Sequence, residues 1–184
     1  MSDITAVARR PLDAFDGDDP GLAAAAPMTR FSLRGRFAAM SAAERALGFA
    51  LPRQACRSAS DGARHALWLG PDEWLLLGPA EEAASLGAAL EAAMSGLPHA
   101  LVEVSQRQTG LRVEGPLAAR RLASGCPLDL DLAAFPVGAC TRTLIAKSEI
   151  VLWRTADEIF HVEVWRSFSA YVWRYLKEAG SQLA

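Results

Sequence analysis

The sequence predicts an α+β fold, with antiparallel sheets and helices packed on one face. Two observations predict it. Short apolar runs come in pairs joined by turn-forming residues, and single helical stretches separate the pairs without a steady βαβα rhythm. The composition, 51% hydrophobic and 22% charged over 184 residues, supplies a sizeable core and excludes a disordered chain.

Residues 1–27 combine Asp, Gly, Pro and Ala, and are expected to form a flexible N-terminal arm. Residues 28–184 then form a single α+β domain, with room for two small sub-domains. Met28–Phe37 carries Phe31, Leu33 and Phe37 at intervals and reads as a strand. A short helix follows from Ser41, whose hydroxyl can cap it with Glu44 three residues on. Leu51–Ala63 has no period and reads as a loop. Ala66–Leu69 and Trp74–Leu77 flank Gly70-Pro71-Asp72-Glu73 as a hairpin. The run Trp74–Leu77 does not alternate, so both of its faces should be covered.

Glu81–Ser95 places Ala83, Leu86, Leu90, Ala93 and Met94 on one helical face, and Gly96 and Pro98 end it. Ala100–Val104 and Gly110–Glu114 read as a strand pair, with Leu111 and Val113 facing one way. Gly115-Pro116 opens a short helix that ends near Gly125. Cys126–Gly138 is a connector. Ala139–Ala146 and Glu149–Arg154 form a hairpin around Lys147-Ser148. Ile159–Trp165 alternates Phe160, Val162 and Val164 against a more polar face of His161, Glu163 and Trp165. Ser167 is placed to cap a last helix whose stripe is Phe168, Tyr171, Val172, Tyr175, Leu176 and Ala179, stopped by Gly180. The spacing hints at two related halves, without a residue-level repeat.

Charge and motifs exclude several classes. The net charge is −2 and the pI about 5.9, so no basic balance points to nucleic acid. No apolar run approaches the roughly 20 residues of a membrane-spanning helix. Asp13, Asp16, Asp18 and Asp19 precede the short run Ala23–Ala26, which is not a secretory signal, and a cytoplasmic location is expected. Cys56, Cys126 and Cys140 are odd in number and widely spaced, which supports neither a disulfide framework nor a zinc ribbon. His65, His99 and His161 have no His or Cys at metal-ligand spacing. Nucleophile-elbow, phosphate-loop and dinucleotide motifs are absent. Asp129 and Asp131 alternate with leucines and read as solvated side chains. No catalytic, cofactor-binding or metal-ligating residue is therefore expected in this chain.

An interface is the remaining candidate. Arg107, Arg142 and Arg166 lie in or beside predicted strands, and arginine is enriched among energetic anchors of interfaces. Trp165 and Trp173 fall off the predicted apolar faces, which suggests a second packed layer or a partner surface.

Seven segments in series carry a family resemblance. They are 69–76 (LGPDEWLL), 104–109 (VSQRQT), 115–118 (GPLA), 125–130 (GCPLDL), 135–138 (FPVG), 141–143 (TRT) and 164–172 (VWRSFSAYV). In this order and spacing they closely resemble the gamma subunit family of heterotetrameric sarcosine oxidase, over roughly residues 28–180. One departure is Glu103, where relatives often have Asp two residues before the Ser. The resemblance implies the fold of the folate-dependent aminomethyltransferases, the glycine cleavage T-protein among them. It implies alpha, beta and delta subunits as partners, with FAD, FMN, NAD, tetrahydrofolate and zinc on those subunits and no cofactor in this chain. The implied complex demethylates sarcosine to glycine, forming hydrogen peroxide and 5,10-methylenetetrahydrofolate, with the gamma chain non-catalytic. A stand-alone folate-binding or aminomethyltransferase-like protein is the alternative, although such enzymes resemble a much longer body. The Lys-Gly-Cys-Tyr-x-Gly-Gln motif of the related iron–sulfur assembly protein is absent, and Gly125-Cys126-Pro127 does not supply it.

Overall fold

A computed structural model describes residues 19–183 and places them in four layers, with two helices, a sheet, a second sheet and two further helices. The strands are β1 (Leu22–Ala24), β2 (Met28–Gly35), β3 (Ser58–Ser60), β4 (His65–Gly70), β5 (Glu73–Pro79), β6 (His99–Glu103), β7 (Gln108–Glu114), β8 (Cys140–Ile145), β9 (Ser148–Ala156) and β10 (Ile159–Trp165). The helices are α1 (Ala38–Leu47), α2 (Ala83–Met94), α3 (Ala118–Ala123) and α4 (Ser169–Ser181). All strand pairs are antiparallel, as expected.

The first sheet has the order β3-β4-β5-β2-β6 and the second β8-β9-β10-β7-β1. Read against the chain, these are one topology used twice. Strand, helix, three strands and helix recur as β2-α1-β3-β4-β5 with α2, and as β7-α3-β8-β9-β10 with α4. The fifth place is filled by β6 in the first unit. In the second it is filled by β1, which comes from the other end of the chain. The hint of two halves in the spacing thus has a structural basis in topology. The chain crosses between units at 25–27 and again at 104–107.

Period-two alternation builds the layers. Trp74 and Leu76 of β5 face α1 and α2, while Leu75 and Leu77 face the other sheet. In β9, Ile150 and Leu152 face α3 and α4, while Val151 and Trp153 face the first sheet. The unbroken apolar run of β5 is therefore covered on both faces, as its pattern predicts. Helix α2 buries Leu86, Leu90 and Met94, spaced four apart on one stripe. Each such side chain contributes about 1.5–3 kcal/mol of burial.

Several expectations are corrected. Residues 22–24 of the expected arm form β1, paired with β7 at Leu22↔Val113, because Leu22 is a large apolar residue with an edge to fill. Residues 1–18 lie outside the described residues. The expected loop 51–63 contains β3. Residues 100–104 and 110–114 do not pair with each other: β6 joins β2, and β7 joins β10 and β1. Their closeness in sequence resembles a hairpin, yet Val104 between them is buried in the inter-sheet layer and the chain crosses there.

Ser41 lies inside α1, which begins at Ala38. Glu44 instead accepts the Leu51 N–H at 3.0 Å. The β8–β9 hairpin turns at Ala146-Lys147, with Ala146 at φ 51°, one residue earlier than expected. Ser167 caps nothing: a 3₁₀ turn, Arg166–Phe168, precedes α4, and the Ser169 hydroxyl donates to the Arg166 carbonyl at 2.8 Å.

Candidate functional site

The layer between the sheets holds polar chemistry that apolar strands bring together. Arg30 of β2 and Glu163 of β10 meet there. Arg30 Nε donates to Glu163 Oε2 at 2.6 Å and Nη2 donates to Oε1 at 2.9 Å. Arg30 Nη1 donates to the Met28 carbonyl at 2.8 Å. His161 Nε2 lies 2.6 Å from Glu163 Oε1. Glu163 is fully buried and His161 is only 9% exposed. Strand β10 was expected to show these residues on a polar face, but the first sheet covers that face.

Burial by itself would push the Glu163 carboxyl up. The His161 hydrogen bond and charge, with the Arg30 guanidinium, outweigh burial and bring it down to about 2. A carboxylate held so low accepts hydrogen bonds and is no proton donor near neutral pH. The fork-to-carboxylate pairing ties β2 of one sheet to β10 of the other. Behind it, the His65 ring lies 4.8 Å from Trp153, whose ring lies 6.0 Å from His161. Burial, then the neighbouring His161, lowers the pKa of His65.

A second charged group sits at the same sheet boundary. Glu73 of β5 is buried and takes Arg34 Nη2 at 2.7 Å and Arg142 Nη1 at 3.2 Å. Arg142 Nη2 donates to its other oxygen. The Arg142 hydrogen bond holds the Glu73 carboxyl below its ordinary range, and the same bond raises the pKa of Arg142.

Beside it opens a cleft of about 280 Å³ between the sheets, lined by Arg34, Arg107, Gln108, Arg142, Glu149 and Trp165 among others. The Arg107 guanidinium lies 5.4 Å from the centre of the Trp165 ring, a cation–π distance. Gln108 is buried, and its Oε1 has no hydrogen-bond partner among the described residues. A larger hollow of about 460 Å³ between β1, α3 and α4 is lined mainly by apolar groups, including Pro116, Leu117 and Ala118, and offers less chemistry.

Three of the five interface candidates therefore converge. Arg107, Arg142 and Trp165, from three separate segments, line one cleft. Arg166 stands next to it: its N–H donates to the Arg107 carbonyl at 2.8 Å, and its side chain lines a neighbouring hollow at the chain crossings. Trp173 does not belong with them. It is 3% exposed and packs into the core beneath α4, because the buried stripe of that helix is Val172, Trp173, Leu176 and Gly180. Phe168 and Tyr171, expected on that stripe, are exposed. The stripe is rotated so that Val172, Trp173 and Leu176 pack into the core of the second sheet, with Gly180 close against Arg121.

The remaining candidates are scattered. Asp129 and Asp131 are exposed, each accepting a backbone N–H two residues on. His99 Nδ1 lies 2.8 Å from the Leu97 carbonyl, and this bond raises its pKa. Cys56, Cys126 and Cys140 are free thiols, and burial pushes Cys140 up to about 12. Among the described residues, no group of three or more His, Cys, Asp or Glu is placed to hold a metal ion. No helix among them is long and apolar enough to cross a membrane. The sequence reading missed Arg30, Glu73, Gln108 and Glu163. Each is buried where one sheet closes over the other, and no local pattern marks that.

A topology used twice, with a charged cleft where its two sheets meet, defines a four-layer α+β protein with the fold of the glycine cleavage T-protein. The aminomethyltransferase T of the glycine cleavage system from Bartonella henselae superposes with a TM-score of 0.65 at 18% identity, over 85% of this chain and 45% of that one. Residues 34–182 match the sarcosine oxidase, gamma subunit family. The chain is 34% identical to the sarcosine oxidase subunit gamma of Corynebacterium sp. (strain P-1), over 82% of this chain and 72% of the relative. A chain of the heterotetrameric sarcosine oxidase from Corynebacterium sp. U-96, solved in complex with pyrrole 2-carboxylate, superposes with a TM-score of 0.86 at 28% identity, over 95% of each. The chain belongs to the sarcosine oxidase gamma subunit family.

Proposed function

We propose that this chain is the non-catalytic gamma subunit of a heterotetrameric sarcosine oxidase and supports assembly of the complex with alpha, beta and delta subunits. The reaction of that complex is the oxidative demethylation of sarcosine to glycine, with FAD, FMN, NAD, tetrahydrofolate and zinc carried by the other subunits. The observation that supports this reading most is the fit over 95% of both chains to a chain of a heterotetrameric sarcosine oxidase. The buried ion pairs are consistent with it. Glu163 and Glu73 are ionised and held by two or more partners each, which suits a scaffold better than acid–base chemistry. Arg107, Arg142, Arg166 and Trp165 are the proposed docking residues.

Co-expression of the tagged chain with the other three subunits tests the reading. The four chains are expected to elute together, and the purified chain alone is expected to turn over no sarcosine. Recovery of the tagged chain alone at every salt concentration, or turnover without the flavin-bearing subunits, would overturn it.

A further inference from the structure

We propose that the cleft between the two sheets receives the carboxylate of an acidic side chain that a neighbouring subunit inserts beside Arg107 and Trp165. This rests on the subunit reading above. The charges of the cleft call for one anion. Arg34, Arg107 and Arg142 line it, against the carboxylates of Glu73 and Glu149, and Glu163 at its floor is already matched by Arg30. One guanidinium remains unbalanced. Among the described residues no carboxylate pairs with Arg107, whose guanidinium carbon lies over the Trp165 ring.

The size of the cleft suits a side chain. At about 280 Å³ it falls below the range of about 300–1,000 Å³ typical of cofactor and drug-sized ligand sites. Gln108 adds a buried carbonyl oxygen without a partner, an acceptor for an N–H of the entering segment. Trp165 is 44% exposed at the mouth, and Trp and Arg are the residue types that dominate interface energetics. A guanidinium within cation–π distance of an aromatic ring is held in place before the anion arrives.

The test compares wild type with Arg107→Ala, Arg107→Glu, Arg107→Lys and Trp165→Ala. Affinity of each full chain for the co-purified remaining subunits is measured by calorimetry. Arg107→Ala and Trp165→Ala are expected to weaken binding by about 30-fold or more, and Arg107→Glu to weaken it further. Arg107→Lys is expected to restore part of the loss, while Arg112→Ala, away from the cleft in a surface pair with Glu114, is expected to change nothing. Wild-type affinity in both Arg107→Ala and Arg107→Glu would overturn the proposal and leave the subunit reading intact. Failure of the wild-type chain to bind the other subunits would overturn both.

A second arm titrates free glutamate into the isolated chain and follows the Trp165 indole resonance. A saturable shift that Arg107→Ala abolishes, together with undiminished subunit binding by Arg107→Glu, assigns the cleft to a free carboxylate and rejects a subunit as its occupant.

Discussion

Glu163 shows how much one side chain can depend on its surroundings. It is fully buried, takes both nitrogens of the Arg30 fork and touches His161. Glu163→Gln leaves Arg30 buried without its counter-charge and is expected to cost about 3–5 kcal/mol in urea unfolding. The double change Arg30→Met with Glu163→Leu is expected to cost less, since it removes both charges together. The pH dependence follows from the depressed carboxyl. Its folded value of about 2 lies below the ordinary 4.5, so its stabilisation is complete above pH 4.5 and is lost as pH falls towards 2. Wild type should lose stability steeply across that window, and Glu163→Gln should flatten the profile there.

Phe37 is a different case. It sits ahead of α1 at φ 39° and ψ −98°, left-handed backbone for a bulky residue, with its ring 87% exposed. The ring contributes little packing there, so Phe37→Gly is expected to raise stability by about 1 kcal/mol, read from the urea midpoint.

At the level of single elements, β1 and α4 hold each other through Arg121. The guanidinium donates twice to Asp19 Oδ1, at 3.1 Å each, just ahead of β1. It lies against Gly180 of α4, where an added Cβ would meet the guanidinium. Gly180→Ala must therefore push the flexible end of Arg121 aside and loosen its pair with Asp19. The helix propensity of Ala over Gly, about 1 kcal/mol, offsets the loosened pair in overall stability, so faster amide exchange at residues 22–24 is the specific readout. Unchanged exchange there would refute the coupling. The same helix explains a misplaced expectation. Its sequence offers aromatic residues on two sides, Tyr171 and Tyr175 on one and Trp173 on the other. Periodicity does not choose between them. The core of the second sheet does: it takes Trp173 fully, with Tyr175 packed at its edge and Tyr171 left exposed.

Across the whole molecule, the two units are interlocked. The second sheet needs β1 from the N-terminal side, and the chain crosses between units at 25–27 and 104–107. Leu67, Leu75 and Leu77 of one sheet pack against Cys140, Val151 and Trp153 of the other, and the Arg30–Glu163 pair spans the same layer. Unfolding is therefore expected to be a single transition, with far-ultraviolet circular dichroism and tryptophan fluorescence coinciding in urea. Two resolved transitions would show that the units are separate.

The chain's own pattern decided the elements and most of their faces. The hairpin β4–β5, the buried stripe of α2, the alternation of Phe160, Val162 and Val164, and the motif series that marks the family were all legible before folding. These features rest on local turn chemistry and on periods of two and 3.6 residues, which neighbours in sequence carry among themselves. Which strands pair across the chain crossings, which face of α4 is buried, and the meeting of Arg30 with Glu163 or of Arg107 with Arg142 and Trp165 were settled by the tertiary structure. These contacts join residues far apart in sequence, and each exists because one sheet closes over the other and removes water from a face that no local period identifies as buried.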